Sequence, residues 1–326
     1  MKKIRIAILG ASEIAFRRFL PALLKDNRFE YVGVAYYRKE DQGKVKMFQE
    51  TYGGKIFDSF EKVYESNQID AIYVPQPPAL HYEFGLKVLQ SGKHLFMEKP
   101  FTTSLKDTSN IIEYAKNKDL AATENYMFQF HKQIELFKKI SYSGKIGDLV
   151  GFSVRFCFPL RNSNDFRYSK QLGGGALLDC GGYTIMLSDI LTNHKGILHA
   201  NKPVYESQFE VDMHGSGFFD TGILKCDYYF GMNDEYDCSA TAIGTKGKIV
   251  ANRVLTAPPD LDVLFKVYDI NGNVTEEIEI GRDDSFLKSI DNFYNCIVNK
   301  ECREKNFSNI LRQAKLINDT IIQGGY

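Results

Sequence analysis

The chain has 326 residues, and at roughly 100–200 residues per domain that length predicts two domains, each able to bury its own core. Hydrophobic residues at 44%, charged residues at 25%, and 26 Gly against 9 Pro exclude disordered, collagen-like and low-complexity classes and leave a soluble globular protein. Lys+Arg and Asp+Glu are equal at 41, so no net field attracts a polyphosphate backbone or an anionic bilayer, and neither nucleic acid nor membrane is expected as a partner.

In the first third, short runs rich in β-branched and aromatic residues alternate with amphipathic stretches, the pattern of βαβ units on a parallel sheet. Ile4–Leu9, Tyr31–Ala35, Lys55–Phe57, Ala71–Val74, His94–Met97 and Leu120–Thr123 read as strands. Ile14–Leu24, Gln42–Tyr52, Phe60–Ser66, Leu80–Gln90 and Ser104–Lys116 carry apolar residues at three- and four-residue spacing and read as crossover helices. Together they predict a doubly wound nucleotide-binding domain over residues 1–123. From 124 the periodicity changes. After a helix at Lys132–Ile140 come the alternating segments Leu149–Phe158, Gln208–Asp212, Gly222–Tyr229, Asp237–Ile243 and Leu264–Ile270, which suggest an antiparallel sheet. A helix over Ala176–Leu191 interrupts them, and helices near Ser285–Val298 and Ser308–Ile322 close a second, α+β domain over 124–326. Alternation in Gly222–Tyr229 leaves a sheet face with room for pairing with another subunit.

The six cysteines, Cys157, Cys180, Cys226, Cys238, Cys296 and Cys302, form no CxxC pair, so reduced thiols rather than a disulfide framework or zinc site are expected. The apolar run before Gly10 is too short for a signal peptide, and no stretch is long enough to span a bilayer, which places the protein in the cytoplasm. No HExxH, paired Cys/His spacing or GxSxG elbow appears, so neither metal nor acyl-enzyme chemistry is expected.

The strand Ile4–Leu9 runs into Gly10-Ala11-Ser12-Glu13-Ile14-Ala15, a G-x-G-x-x-G/A turn with Ser12 in the middle glycine position. Such a turn lets backbone N–H groups and a helix N-terminus meet a pyrophosphate, and the Ser12 hydroxyl can bond a phosphate oxygen. After the second strand comes Tyr36-Tyr37-Arg38-Lys39, with no carboxylate before Glu40. Arg38 suits a 2′-phosphate, so NADP(H) is favoured over NAD(H). Beyond the fourth strand lies Pro75-Gln76-Pro77 with His81 following, and beyond the fifth lies Glu98-Lys99-Pro100, where ligands bind in open α/β sheets. Gly173-Gly174-Gly175 leads to Asp179 and Tyr183, which at i and i+4 on a helix share one face. The intervening Gly181-Gly182 is costly inside a helix and suggests close approach of a backbone or ligand rather than packing.

This set of motifs resembles the Gfo/Idh/MocA oxidoreductase family over nearly the whole chain. The resemblance implies a Rossmann domain, a C-terminal α+β domain with an open-faced, mostly antiparallel sheet, bound NAD(P), hydride transfer at sugar or polyol carbons, and assembly as a homodimer or homotetramer. By the same resemblance Lys99 polarises the substrate and Tyr183 donates the proton with Asp179 assisting. The implied cofactor contacts are Gly10, Ala11, Ser12, Glu13, Ile14, Arg38, Pro75, Pro77, His81, Glu98 and Lys99. Glu124-Asn125-Tyr126-Met127-Phe128-Gln129-Phe130-His131 and Arg17-Arg18-Phe19-Leu20-Pro21-Ala22 are similar to the sugar-nucleotide 3-ketoreductase branch, which implies a sugar or sugar-nucleotide substrate met by Tyr126, His131 and Arg167. An Arg is usual at the Gln129 position in the dihydrodiol dehydrogenase branch, so a dihydrodiol substrate is disfavoured. The resemblance also admits an NAD-dependent glycosidase or a non-catalytic dinucleotide sensor, and the presence of Lys99 speaks against the sensor.

Overall fold

The computed structural model describes residues 3–326, gathered in two compact units. One runs to Tyr126 and takes in Phe286–Ala314; the other comprises Met127–Ser285 and Lys315–Tyr326.

In the first unit β1 (Ile4–Leu9), β2 (Phe29–Ala35), β3 (Lys55–Phe57), β4 (Ala71–Val74), β5 (His94–Met97) and β6 (Ala122–Glu124) form one sheet in the order β3-β2-β1-β4-β5-β6. Every neighbouring pair is parallel. A parallel sheet must cover both faces, and Ile72, Val74 and Leu95 share a core with Phe60, Val63, Val88, Ile111 and Ile112 from the crossover helices. The strand order reverses between β1 and β4, which opens a crevice beyond their carboxyl ends. Phe307 and Ile310 belong to that same core, Phe293 stacks on Phe96 at 5.1 Å, and Asn306 Nδ2 donates to the Ala122 carbonyl at 2.9 Å. A single cut at 123/124 assigns residues 286–314 to the second domain, whereas their apolar faces fill the first unit. Amphipathicity shows that a helix has a face to bury, not which sheet receives it.

The second unit holds β7 (Leu149–Cys157), β8 (Ile197–Ala200), β9 (Val204–Tyr205), β10 (Asp212–Asp220), β11 (Lys225–Gly231), β12 (Asp237–Gly244), β13 (Gly247–Asn252), β14 (Val263–Asp269) and β15 (Val274–Gly281). Their order is β15-β14-β13-β12-β7-β11-β10-β8, with β9 on β10. The pairs are antiparallel except β7 with β11, and the helix Gly182–Leu191 lies against those two strands. Among the described residues no helix is long and apolar enough to cross a membrane.

Several elements differ from the sequence reading. The strand expected at Gln208–Asp212 begins at Asp212 and runs to Asp220. Its inward positions include Gly215 and Gly217, which make room for Phe230 and Tyr228, so the buried face carries little hydrophobic signal. β15 is an edge strand rich in exposed Glu, and edge charges blunt edge-to-edge pairing while hiding the strand pattern. The last helix begins at Lys300 rather than Ser308, because the charged residues 300–305 include Arg303, which is buried and paired with Asp119.

Candidate active site

Residues from three adjacent strands converge on the crevice of the first unit. Gly10, directly after β1, has φ +99°, and a side chain there would meet Gln76 Nε2 at 2.2 Å; Gln76 donates to the Leu9 carbonyl and so ties the turns after β1 and β4 together. Ser12 Oγ accepts the Ala15 N–H at 3.2 Å, capping the helix that follows while its own O–H remains a donor. That helix starts with a π turn, Ala15–Phe19, ahead of Pro21, which lacks the N–H that would close an α-helical bond to Arg17. Ala11 follows Gly10 ahead of the helix, Ile14 lies in the helical turn just before Ala15, and Glu13 pairs with Arg17 on the surface at 2.6 Å. Pro75 and Pro77 follow β4, and Arg38 is an exposed cation beyond β2, 3.4 Å from Glu40.

Glu98 and Lys99 follow β5, with Lys99–Pro100 a cis peptide. Glu98 Oε1 accepts the Tyr73 hydroxyl and Asn125 Nδ2, each at 2.6 Å, and Oε2 accepts the Lys99 N–H at 3.3 Å. Burial pushes the Glu98 carboxyl above its ordinary range against those donors. Glu124, at the end of β6, accepts the Phe101 N–H at 2.6 Å, and burial together with the Glu98 charge pushes it up to about 8. The sequence reading assigned Glu124 no role; the available signal was a carboxylate ending a wholly buried strand.

In the second unit the helix carrying Asp179 and Tyr183 also begins with a π turn, Leu177–Gly181, a feature frequent at functional sites. Arg167 Nε donates to Asp179 Oδ2 at 2.7 Å, and Arg167 Nη1 reaches Asp165 at 3.1 Å. Burial works against the Arg167 charge, but Asp179 and Asp165 outweigh it and hold the guanidinium firmly protonated. Arg167 therefore fixes Asp179. Tyr183 is 6% exposed, with its hydroxyl 3.9 Å from Met127 Sδ and its ring between Phe128 and Phe156 at 5.5 and 5.4 Å. The reading of Gly181 is corrected: a Cβ there would sit 3.0 Å from the Phe230 ring, so the glycine serves helix-on-sheet packing rather than a ligand.

Three further residues of the sequence reading are buried. His81 is 0% exposed and both ring nitrogens face carbonyls, Nδ1 that of Pro100 at 2.7 Å and Nε2 that of Gln76 at 2.6 Å, so it braces two loops. Burial pushes its ring down to about 4. His131, also buried, caps the helix Lys132–Ser141 by accepting the Gln133 N–H at 3.2 Å. Tyr126 is wholly buried. Among the described residues no group of three or more His, Cys, Asp or Glu side chains is placed to hold a metal ion.

A parallel sheet with a glycine turn at its switch point and a lysine beside it is the framework of a dinucleotide-dependent oxidoreductase. Residues 4–126 match the family model described as "Oxidoreductase family, NAD-binding Rossmann fold", and residues 134–250 match "GFO/IDH/MocA C-terminal domain". A dTDP-3,4-didehydro-2,6-dideoxy-alpha-D-glucose 3-reductase of Saccharopolyspora spinosa is 32% identical over 90% of this chain and 87% of its own length. One from Actinomadura kijaniata is 30% identical over 96% and 93%. The crystal structure of KijD10, a 3-ketoreductase from Actinomadura kijaniata in complex with NADP and TDP-benzene, superposes with TM-score 0.92 at 29% identity, covering 99% of this chain and 98% of that one. This chain belongs to the Gfo/Idh/MocA oxidoreductase family.

Proposed function

We propose that the chain reduces the keto group of a sugar carried on a nucleoside diphosphate, with NADP(H) as cofactor. The observation that carries this reading is the full-length likeness to dTDP-sugar 3-reductases. It is supported by solved KijD10 variants in which a tyrosine or a lysine is replaced, those two residues lying as far apart in sequence as Lys99 and Tyr183.

The first unit fits the cofactor. Gly10, at φ +99°, puts no side chain over its turn, so a pyrophosphate can approach the backbone from Gly10 through Ile14, and Arg38 offers a planar fork of donors for a 2′-phosphate. When bound, the dinucleotide supplies the hydride. The Lys99 ammonium hydrogen-bonds the carbonyl oxygen and stabilises the negative charge that builds there. The Tyr183 hydroxyl is the proton donor, and Asp179, held by Arg167, orients a neighbouring sugar hydroxyl. The six cysteines, none in a disulfide among the described residues, suit a reducing compartment such as the cytoplasm.

The test is NADPH oxidation with a dTDP-linked 3-keto sugar. Lys99→Ala and Tyr183→Phe are each expected to lower kcat by about 10²–10⁴, while NADPH affinity, measured by fluorescence, stays near that of the parent. Unchanged turnover in both variants would overturn the assignment, and a parent enzyme that binds NADPH yet reduces no keto-sugar nucleotide would overturn the function.

A further inference from the structure

The turn that carries Lys99 is held on both sides of its proline by carboxyl groups. The Lys99 N–H donates to Glu98 Oε2 at 3.3 Å and the Phe101 N–H to Glu124 Oε1 at 2.6 Å, while Pro100, with no N–H, turns its carbonyl to His81 Nδ1 at 2.7 Å. Glu98 is fixed in turn by Tyr73 and by Asn125, whose Oδ1 accepts the Ser289 hydroxyl at 2.8 Å. A buried Glu124 and a half-buried Glu98 this close to a lysine cost free energy unless their placement serves it.

Resting on the reductase reading of Lys99, we propose that Glu124 is a positioning residue for that lysine: it anchors the turn from beyond Pro100 and sets the charge balance in which the ammonium meets the substrate oxygen. The charged groups that act on Glu124 are Glu98, which favours its neutral form, and Lys99, which favours the ionised form. His81, packed against the same turn, is held neutral by burial, and Tyr73 on β4 donates to Glu98. With Glu124 pushed up to about 8, it is mostly a neutral acid near pH 7, and Lys99 answers to one carboxylate instead of two. As pH rises through about 8, Glu124 ionises. Its negative charge then draws the ammonium from the carbonyl oxygen.

Two readouts on the full-length protein test this. In steady-state kinetics Glu124→Ala is expected to lower kcat about tenfold with KM for NADPH within about twofold, and Glu124→Gln, which keeps an oxygen for Phe101, to recover most of the loss. In acetic anhydride labelling at about pH 9 followed by peptide mass spectrometry, Lys99 is expected to react at least about twofold faster in Glu124→Gln than in the parent, because the carboxylate that draws its ammonium is gone. A labelling rate that does not change, or a Glu124→Ala enzyme with the parent kcat, overturns the proposal. Labelling needs no substrate, so it decides Glu124 even where the absence of any keto-sugar turnover sinks the reductase reading.

Discussion

At the end of the second strand of such a sheet, one residue's charge decides between a ribose 2′-hydroxyl and a 2′-phosphate. Arg38 stands there, its side chain 64% exposed and its ion pair with Glu40 long at 3.4 Å, so little holds the guanidinium back from a phosphate. Arg38→Ala is expected to weaken NADPH binding about ten- to hundred-fold, the worth of a charged hydrogen bond or two, and to leave NADH affinity nearly unchanged. Fluorescence titration of both dinucleotides checks it, and an equal loss for both would show that Arg38 does not read the phosphate. That Gly10, Arg38 and Lys99 stand just beyond strands was legible, because hydrophobic patterning locates strand ends. The surroundings of His81, His131 and Tyr126 were not. A sequence shows that an imidazole is present, but only the fold shows that both His81 nitrogens meet carbonyls at 2.6–2.7 Å. Glu124 was missed for the same reason, since its partner is a backbone N–H 23 residues away.

The helix that presents Asp179 and Tyr183 depends on a residue from another element. Asp212, at the start of β10, accepts the Leu177 N–H at 2.7 Å, and Gly175, with φ +113°, sits where a Cβ would lie 2.2 Å from Asp212 Oδ1. The triple glycine therefore lets the chain pass close to this capping carboxylate. Burial pushes Asp212 up to about 6, against the opposing pull of the Leu177 and Ala176 N–H groups. An acid raised above its unfolded value of about 3.9 takes up a proton on folding. Its contribution to stability is full below about pH 4 and is lost as pH rises toward 6. Asp212→Asn keeps an oxygen for Leu177 and cannot ionise, so its Tm relative to the parent is expected to rise between about pH 4 and pH 7. Asp212→Ala cannot ionise either and also removes the cap, so it is expected to lie about 1–2 kcal/mol below Asp212→Asn at both. Thermal unfolding of the three proteins at the two pH values measures this, and a parent-to-Asn difference independent of pH would contradict it. The glycine run was readable as a break before a helix, but the carboxylate that explains it lies 35 residues on, in a strand whose inward glycines hid it.

At the scale of the molecule, the dinucleotide-binding unit is discontinuous in sequence. Its sheet ends at β6, yet Phe286, Phe293, Phe307 and Ile310 are at most 3% exposed, Phe293 lies 5.1 Å from the Phe96 ring, and Phe307 and Ile310 lie in the same cluster as Ala122 and Ile112. Each such side chain contributes about 1.5–3 kcal/mol by burial. Four together rival the whole stability of a domain, about 5–15 kcal/mol. Polar ties follow the same path: Arg28 Nη2 donates to Asp291 at 2.8 Å, and Asn306 Nδ2 to the Ala122 carbonyl at 2.9 Å. A fragment ending at residue 126 is therefore expected to show no cooperative unfolding and no NADPH binding, although it contains the glycine turn, Arg38 and Lys99. The Ser289 hydroxyl lies 2.8 Å from Asn125 Oδ1, so the chain ends at 126 and 286 are close enough for a short Gly/Ser linker. A protein built as residues up to 126, linker, then 286–314 is expected to fold cooperatively by circular dichroism and to bind NADPH. If the fragment ending at 126 folds and binds as well as the linked form, the returning helices are an accessory to this unit and not part of its core.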